Sequence, residues 1–257
     1  MEYEVIISKK DPASMNIGNA LKELDYHGKL HVIQERSIYS KDLDHEENFL
    51  IFATKHESTS LKKTLTVHNP GNWGKADLGG KDFNLPPSTA SILKQAFLEL
   101  KTNNNLDYET SGEATHHGPE LNTPSLFIEI GSSNLQWKDP KAAEVIAKSI
   151  ISLTSKKIPK YKTAIGIGGG HYMPSFNKVL ERTNIALSYI CPKHNLELLN
   201  EDLLQQAIKN TTEKVDFILL DWKGLGLEKE KIKKLTENLN LPVKRSQNVL
   251  SDEEFKL

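Results

Sequence analysis

Eight short runs of β-favouring residues punctuate the chain, and most are too continuously apolar to sit on a half-exposed sheet. They are EVIIS (4–8), HVIQE (31–35), FLIFAT (49–54), TLTVH (64–68), SLFIEI (125–130), TAIGIG (163–168), ALSYI (186–190) and VDFILLD (215–221). Strands with apolar residues at successive positions are buried on both faces. Between them the period changes. Ile17, Ala20, Leu21 and Leu24 follow the i, i+3, i+4, i+7 stripe of a helix, as do Leu93, Ala96, Phe97 and Leu100, and again Ala143, Ile146, Ala147 and Ile150. Asp139 and Pro140 supply the cap and first position of the last of these. The alternation predicts an α/β fold: a mixed, mostly parallel sheet with helices on both faces. No repeat or low-complexity linker divides the 257 residues, so a single domain over 1–257 with insertions is expected. The polar stretch 101–113 reads as a loop that could serve as a lid.

Composition narrows the class. Hydrophobic residues at 37% and charged residues at 26% describe a soluble globular chain rather than a disordered one. No apolar run approaches the ~18 residues that span a bilayer, and MEYEVIISKK reads as a strand rather than a signal peptide. The single cysteine, Cys191, excludes an internal disulfide or a thiolate metal cluster and favours the cytoplasm. Lying before Pro192, it reads as a small core residue rather than a nucleophile. Lysine plus arginine total 33 against 34 acids, so no global field advertises nucleic acid. The lysine clusters at 9–10, 62–63 and 156–162 read as solvated surface. No membrane or protein partner is evident.

The chemistry-bearing residues gather just beyond the apolar runs. Ser8, Asp11 and Asn16 follow the first; His56 follows FLIFAT; His68, Asn69 and Asn72 end the next; Glu129 and Ser132 belong to SLFIEI and its sequel; His171 and Tyr172 follow TAIGIG. A parallel sheet would collect such residues along one edge, where ligands of open α/β sheets bind. In AIGIGGGHYMPSF (164–176) the glycines permit positive φ and close backbone approach. Their spacing is neither a dinucleotide fingerprint nor a phosphate loop. The Gly169 and Gly170 amides could form an anion nest or meet an oxyanion, and His171 could be acid, base or ligand. A plain tight turn with a packed histidine remains the alternative.

In GEATHHGPEL (112–121) two histidines stand side by side, and on an extended chain they would point to opposite faces. Gly118 and Pro119 suggest that the chain turns there. His68, His116 and His117 with Glu113 and Glu129 are the donor types that zinc takes when thiolates are absent. There is no HExxH and no G-x-S-x-G elbow. Water activated by a metal or a histidine is therefore the simplest nucleophile for a hydrolase.

Taken in order, SKKDPASMNIGNAL, KHESTSLKKTLTVHNPGNWG, GEATHHGPEL, PSLFIEIGSSNLQWKDPKAAEVIAKSI and AIGIGGGHYMPSF resemble the archaeal- and plant-type D-aminoacyl-tRNA deacylases over about residues 5–180. Ser175 stands where that resemblance leads one to expect a basic residue. The resemblance implies a cytosolic, zinc-dependent hydrolase that cleaves the ester between a D-amino acid and the 3′ end of tRNA. It also implies a fold related to peptidyl-tRNA hydrolase and nucleoside phosphorylases, and functional stretches around His56, His68, His116–His117 and Gly168–His171. The expected roles are His171, His56 and the Gly169–Gly170 amides in catalysis, and Ser8, Asp11, Asn16, Asn69, Asn72, Ser132 and Tyr172 in substrate binding. His68, His116, His117, Glu113 and Glu129 are the expected Zn2+ ligands. Other readings are a peptidyl-tRNA hydrolase, a phosphorylase relative, or a non-catalytic tRNA-binding module.

Overall fold

The computed structural model describes residues 2–41, 43 and 48–257. Each of the eight apolar runs carries a strand: β1 (Glu2–Ser8), β2 (Lys29–Ile33), β3 (Asn48–Glu57), β4 (Thr64–His68), β6 (Ser125–Ser132), β7 (Lys162–Ile167), β8 (Ile185–Cys191) and β9 (Phe217–Leu220). Two further strands, β5 (Glu109–Gly112) and β10 (Val243–Arg245), lie at sheet edges. The sequences ETSG and VKR carry no apolar run, so pairing with a neighbour makes them strands rather than their own side chains. The helices are α1 (Pro12–Glu23), α2 (Ala90–Asn103), α3 (Asn134–Trp137), α4 (Pro140–Ser155), α5 (Pro174–Arg182), α6 (Glu201–Asn210), α7 (Lys229–Glu237) and α8 (Ser246–Ser251). Asp11 caps α1 by accepting from the Ala13 and Ser14 amides, and Asp139 caps α4 through the Lys141 amide.

Residues 101–113, expected as one loop, are divided. The end of α2 takes 101–103, and β5 pairs in parallel with β4 from Thr64↔Glu109 to Val67↔Gly112. Only 104–108 lie between those elements. The strands form two sheets. A mixed, mostly parallel six-stranded sheet runs β2-β1-β3-β6-β4-β5, with β4 antiparallel to β6, and a parallel four-stranded sheet runs β10-β9-β7-β8.

The two-residue period of the strands decides what each face carries. Phe49, Ile51 and Ala53 of β3, Leu126, Ile128 and Ile130 of β6, and Leu65 and Val67 of β4 pack into one cluster with α1, α2 and α4. That cluster continues to Ala164, Leu187 and Phe217 of the second sheet. The alternate residues Leu50, Phe52 and Phe127 face the other way, onto Ile6, Ile33, Ile38, Leu43 and Leu121. A 3-10 turn (Ser37–Tyr39) and irregular segments, rather than helices, supply the cover there. Further along the same parity come Thr54, His56, Thr66, His68 and Glu129. The helix-free face of the sheet therefore becomes polar toward one end.

Lys94 of α2 ties the two layers together. Its side chain is buried, and its ammonium donates to the Leu180 carbonyl (2.7 Å), the Ile185 carbonyl (3.0 Å) and the Thr183 carbonyl. The first of these belongs to the last turn of α5, whose carbonyls lack intrahelical partners. Lys94→Met keeps the apolar stem and removes every one of those donors. The expected result is a loss of roughly 2–4 kcal/mol of unfolding free energy in denaturant titration. A change below about 0.5 kcal/mol would show that this cap is dispensable.

Candidate functional site

Six segments deliver the titratable groups: His56 and His68 from β3 and β4, Glu129 from β6, Glu113 just after β5, the His116–His117 turn, and His171 after β7. Backbone bonds lock these segments to one another. The Glu113 amide donates to Val67 O (2.9 Å), Ala114 to His171 O (2.8 Å), Thr115 to Ile190 O (3.0 Å) and Gly71 to His117 O (2.8 Å). The chain does turn at the histidine pair. His117 has φ +49, and the rings of His116 and His117 approach to 4.4 Å on the same side. Gly118 next to it passes so close to the 79–80 backbone that a Cβ would lie 2.4 Å from the Gly80 nitrogen. Only glycine fits there.

Glu113 is the centre. Its side chain is fully buried; His56 Nδ1 lies 3.1 Å from one carboxylate oxygen and His171 Nε2 3.1 Å from the other. Burial pushes the carboxyl up, but the neighbouring His171 and His56 outweigh it and hold it below the usual carboxylate range. Glu129 goes the opposite way: burial first, then the Glu113 charge, drive it well above that range. The Thr54 hydroxyl donates to Glu129 Oε1 at 2.7 Å. The buried acidic pair thus holds its charge on Glu113.

The histidines are differentiated by the same charge. His171 is depressed by burial but raised more by the Glu113 carboxylate, so its net pKa lies above the ordinary value. His56 is lowered, because burial outweighs Glu113 there. With Nδ1 facing the carboxylate, the neutral His56 ring keeps its proton on Nδ1 and accepts from the Tyr172 hydroxyl at Nε2 (2.8 Å). His68, His116 and His117 each set Nδ1 against a backbone carbonyl, of Asn69 (3.2 Å), Ala114 (2.8 Å) and Gly118 (2.6 Å). Burial lowers all of them, His117 to about 4. Neutral imidazoles with Nδ1–H so engaged present bare Nε2 lone pairs.

This donor set fits a metal. Ligand atoms of His68, His116 and His117 lie within 4.8 Å of one another, as do those of His56, Glu113 and His171, and of His68, Glu113 and Glu129. His68 Nε2 and both Glu113 oxygens are buried without an aligned hydrogen-bond partner. Converging, unpartnered acceptors are costly unless a cation meets them. Imidazole nitrogen and carboxylate oxygen without thiolate suit zinc. The groups open into a cavity of about 500 Å³ whose lining includes Asp11, Thr54, Lys55, Phe127 and Glu129.

Other expected site residues serve the scaffold. Ser8 Oγ donates to Glu35 O, Asn16 Nδ2 to Trp137 O and Asp139 O (both 3.0 Å), Ser132 Oγ to Lys62 O, and Asn69 Nδ2 to Ser88 Oγ and Ser188 O (both 2.7 Å). None of these four lines the 500 Å³ cavity. Asp11 does line its wall, though its oxygens accept from the Ala13, Ser14 and Lys55 amides. Asn72 ties the Gly79 carbonyl (3.0 Å) and lines a neighbouring cavity. Gly168 and Gly169 have φ +103 and +85, and the Gly169 carbonyl accepts from the Lys193 amide (2.8 Å), so the triple glycine is the turn that projects His171. Cys191 is wholly buried. Thr54 was not anticipated. Its signal was parity, two positions before His56 on the same strand face.

A family model described as D-aminoacyl-tRNA deacylase matches residues 43–244. Curated relatives of that name include proteins of Thermococcus onnurineus, 39% identical over 92% of this chain and 97% of theirs, and Methanococcus vannielii, 38% identical over 95% and 100%. A crystal structure of a conserved protein of unknown function superposes with a TM-score of 0.90 at 29% identity, covering 100% of this chain and 98% of the other.

The charge relation at the centre has a direct readout. In Glu113→Gln the group that lifts His171 is gone while its burial remains, so its pKa is expected to fall below the ordinary histidine value. NMR titration of the imidazole C–H signals checks this. An unchanged His171 midpoint would mean that the carboxylate does not govern it.

Proposed function

The chain belongs to the D-aminoacyl-tRNA deacylase family, and on that premise we propose that it hydrolyses the ester joining a D-amino acid to the 3′ end of tRNA, releasing both. The observation that carries the mechanism is the buried Glu113 carboxylate shared by His56 and His171, which line an open cavity.

Ester hydrolysis needs a base to take a proton from water, donors for the developing oxyanion, and an acid for the departing ribose oxygen. His56 is the base. It is neutral, its Nδ1 faces Glu113 at 3.1 Å, and its Nε2 lone pair accepts from the Tyr172 hydroxyl. The logic is that of a carboxylate orienting a histidine. His171, raised by the same carboxylate, is the acid. Water adds to the ester carbon, the carbon–oxygen bond to the ribose breaks, and His171 returns a proton to that oxygen. Zinc held by His68, His116 and His117 would act as a Lewis acid toward the ester carbonyl. Glu129 and Glu113 oxygens lie 3.7 Å from His68 Nε2 and His116 Nε2 respectively and are further candidate ligands on the same side.

D and L esters are equally reactive, so selection between them falls to the cavity wall, including Ile38 and Phe127. The reaction belongs in the cytoplasm, where aminoacyl-tRNA is made and used.

The test compares D-tyrosyl-tRNA with L-tyrosyl-tRNA on chelator-treated protein, with and without added zinc. Release of the D-amino acid alone, restored by zinc in the wild type but not in His116→Ala, is expected. His171→Ala should lower kcat by about 10²–10⁴. Equal release from both substrates would overturn the chiral reading, and full activity of His171→Ala would overturn its role as acid.

A further inference from the structure

The reaction cavity has a neighbour. A second cavity of about 550 Å³ shares the His116–His117 turn and Leu78 with it, so the two hollows adjoin at those residues. The second is lined by Leu78, Phe83 and Leu198, which are 51%, 42% and 43% exposed. Large side chains so exposed are few among the described residues, and nowhere else in the described cavities do three of them gather. Exposed apolar groups that converge mark a binding surface, whereas scattered ones do not.

Phe83 is exposed but held. It belongs to a closed loop in which the Asn72 amide donates to Asn84 O (2.8 Å), the Phe83 amide to Gly74 O (2.7 Å) and the Ala76 amide to Asp82 Oδ1 (2.8 Å). Asn72 Nδ2 braces the loop from within through the Gly79 carbonyl (3.0 Å). An aromatic ring presented by a pre-ordered loop binds a flat partner without the cost of ordering the loop.

We propose that this second cavity holds the terminal adenosine of the tRNA, its base stacked on Phe83 between Leu78 and Leu198. The ester then reaches back past His116 and His117 into the first cavity, which takes the D-amino acid. This inference rests on the deacylase reading, and it assigns the two halves of the substrate by their chemistry. An aminoacyl ester of tRNA has a bulky group on each side of the reacting carbon, and the structure has two cavities that adjoin at the histidine turn. The first cavity carries Asp11, Glu57 and Glu129 beside Arg36 and Lys55, the lysine already paired to Glu57 at 2.6 Å. The Asp11 and Glu57 carboxylates there suit the ammonium of an amino acid. The second has apolar walls with Lys75 and His194 among its lining, against one exposed carboxylate, Asp77. That pairing suits a base with its phosphodiester: stacking supplies the contact and Lys75 meets the backbone.

The test measures equilibrium binding of uncharged tRNA with an intact CCA end and of the same tRNA lacking the terminal adenosine, together with hydrolysis of D-tyrosyl-tRNA. Wild type should bind the intact tRNA about tenfold or more tightly than the shortened one, the scale of one base stacked on an aromatic ring. Phe83→Ala should abolish that preference and raise KM about tenfold while kcat stays within about twofold. Phe83→Trp should restore both. Leu198→Ser probes the same cavity from another element, should Phe83→Ala fail to fold by circular dichroism. Leu227→Ala, at a position 99% exposed and outside both cavities, should change neither readout. Equal wild-type binding of the two tRNAs, or a preference that survives Phe83→Ala and Leu198→Ser, overturns the inference and leaves the deacylase reading standing. A preference lost in Phe83→Ala in a protein that hydrolyses neither D- nor L-tyrosyl-tRNA supports the adenosine cavity and removes the deacylase reading.

Discussion

A single buried negative charge organises this molecule's working face. Glu113 has no exposed side-chain surface, and a carboxylate in that position is tolerated only if cationic or proton-donating groups surround it. His56 and His171 provide them from two different strands' ends. Its charge then fixes the state of everything nearby. It adds to burial in pushing Glu129 up, lifts His171 and faces His56 Nδ1. Burial and this one neighbour together give three residues of ordinary type three distinct proton-transfer properties, by the rule that environments pushing pKa values apart assign acid and base.

Holding that charge in place demands a rigid frame, and the frame is backbone. The segment from Glu113 to Thr115 donates in turn to β4, to the His171 turn and to the end of β8. Loops carrying active groups normally sample many conformations; here the loop is stitched as an extra strand-like course between two sheets. The close passage of Gly118 against Gly80, and the positive φ of His117, are the local strain this stitching imposes. They are what brings two sequence-adjacent imidazoles onto one side.

The legible part of the molecule is the part governed by burial. The eight apolar runs became strands, and the stripes through Ile17, Phe97 and Ile146 became α1, α2 and α4, because hydrophobic periodicity states its own geometry. β5 and β10 were invisible, since edge pairing needs no apolar side chain. At the site, histidines and buried glutamates stood out because few structural roles call for them. Ser8, Asn16, Asn69 and Ser132 misled for the opposite reason. Hydroxyls and carboxamides beyond strand ends also tie loops to carbonyls, and sequence position does not distinguish the two uses.

That the reactive groups occupy the face without helices follows from the same arithmetic of parity. A helix packed on a sheet requires a continuous apolar surface beneath it, and on the side of α1, α2 and α4 the alternate positions Phe49, Ile51 and Ala53 and Leu126, Ile128 and Ile130 supply one. On the opposite face apolar residues stop at Phe52 and Phe127, and Thr54, His56, Glu129, Thr66 and His68 follow. A helix laid over those would desolvate ionisable groups without partners. Loops instead bring their own carbonyls and amides, which is why Asn69, Ala114 and Gly118 are able to take the Nδ1 protons of three histidines. Irregular cover is therefore the condition under which a strand face is able to carry neutral imidazoles, a buried carboxylate and an opening to substrate at once.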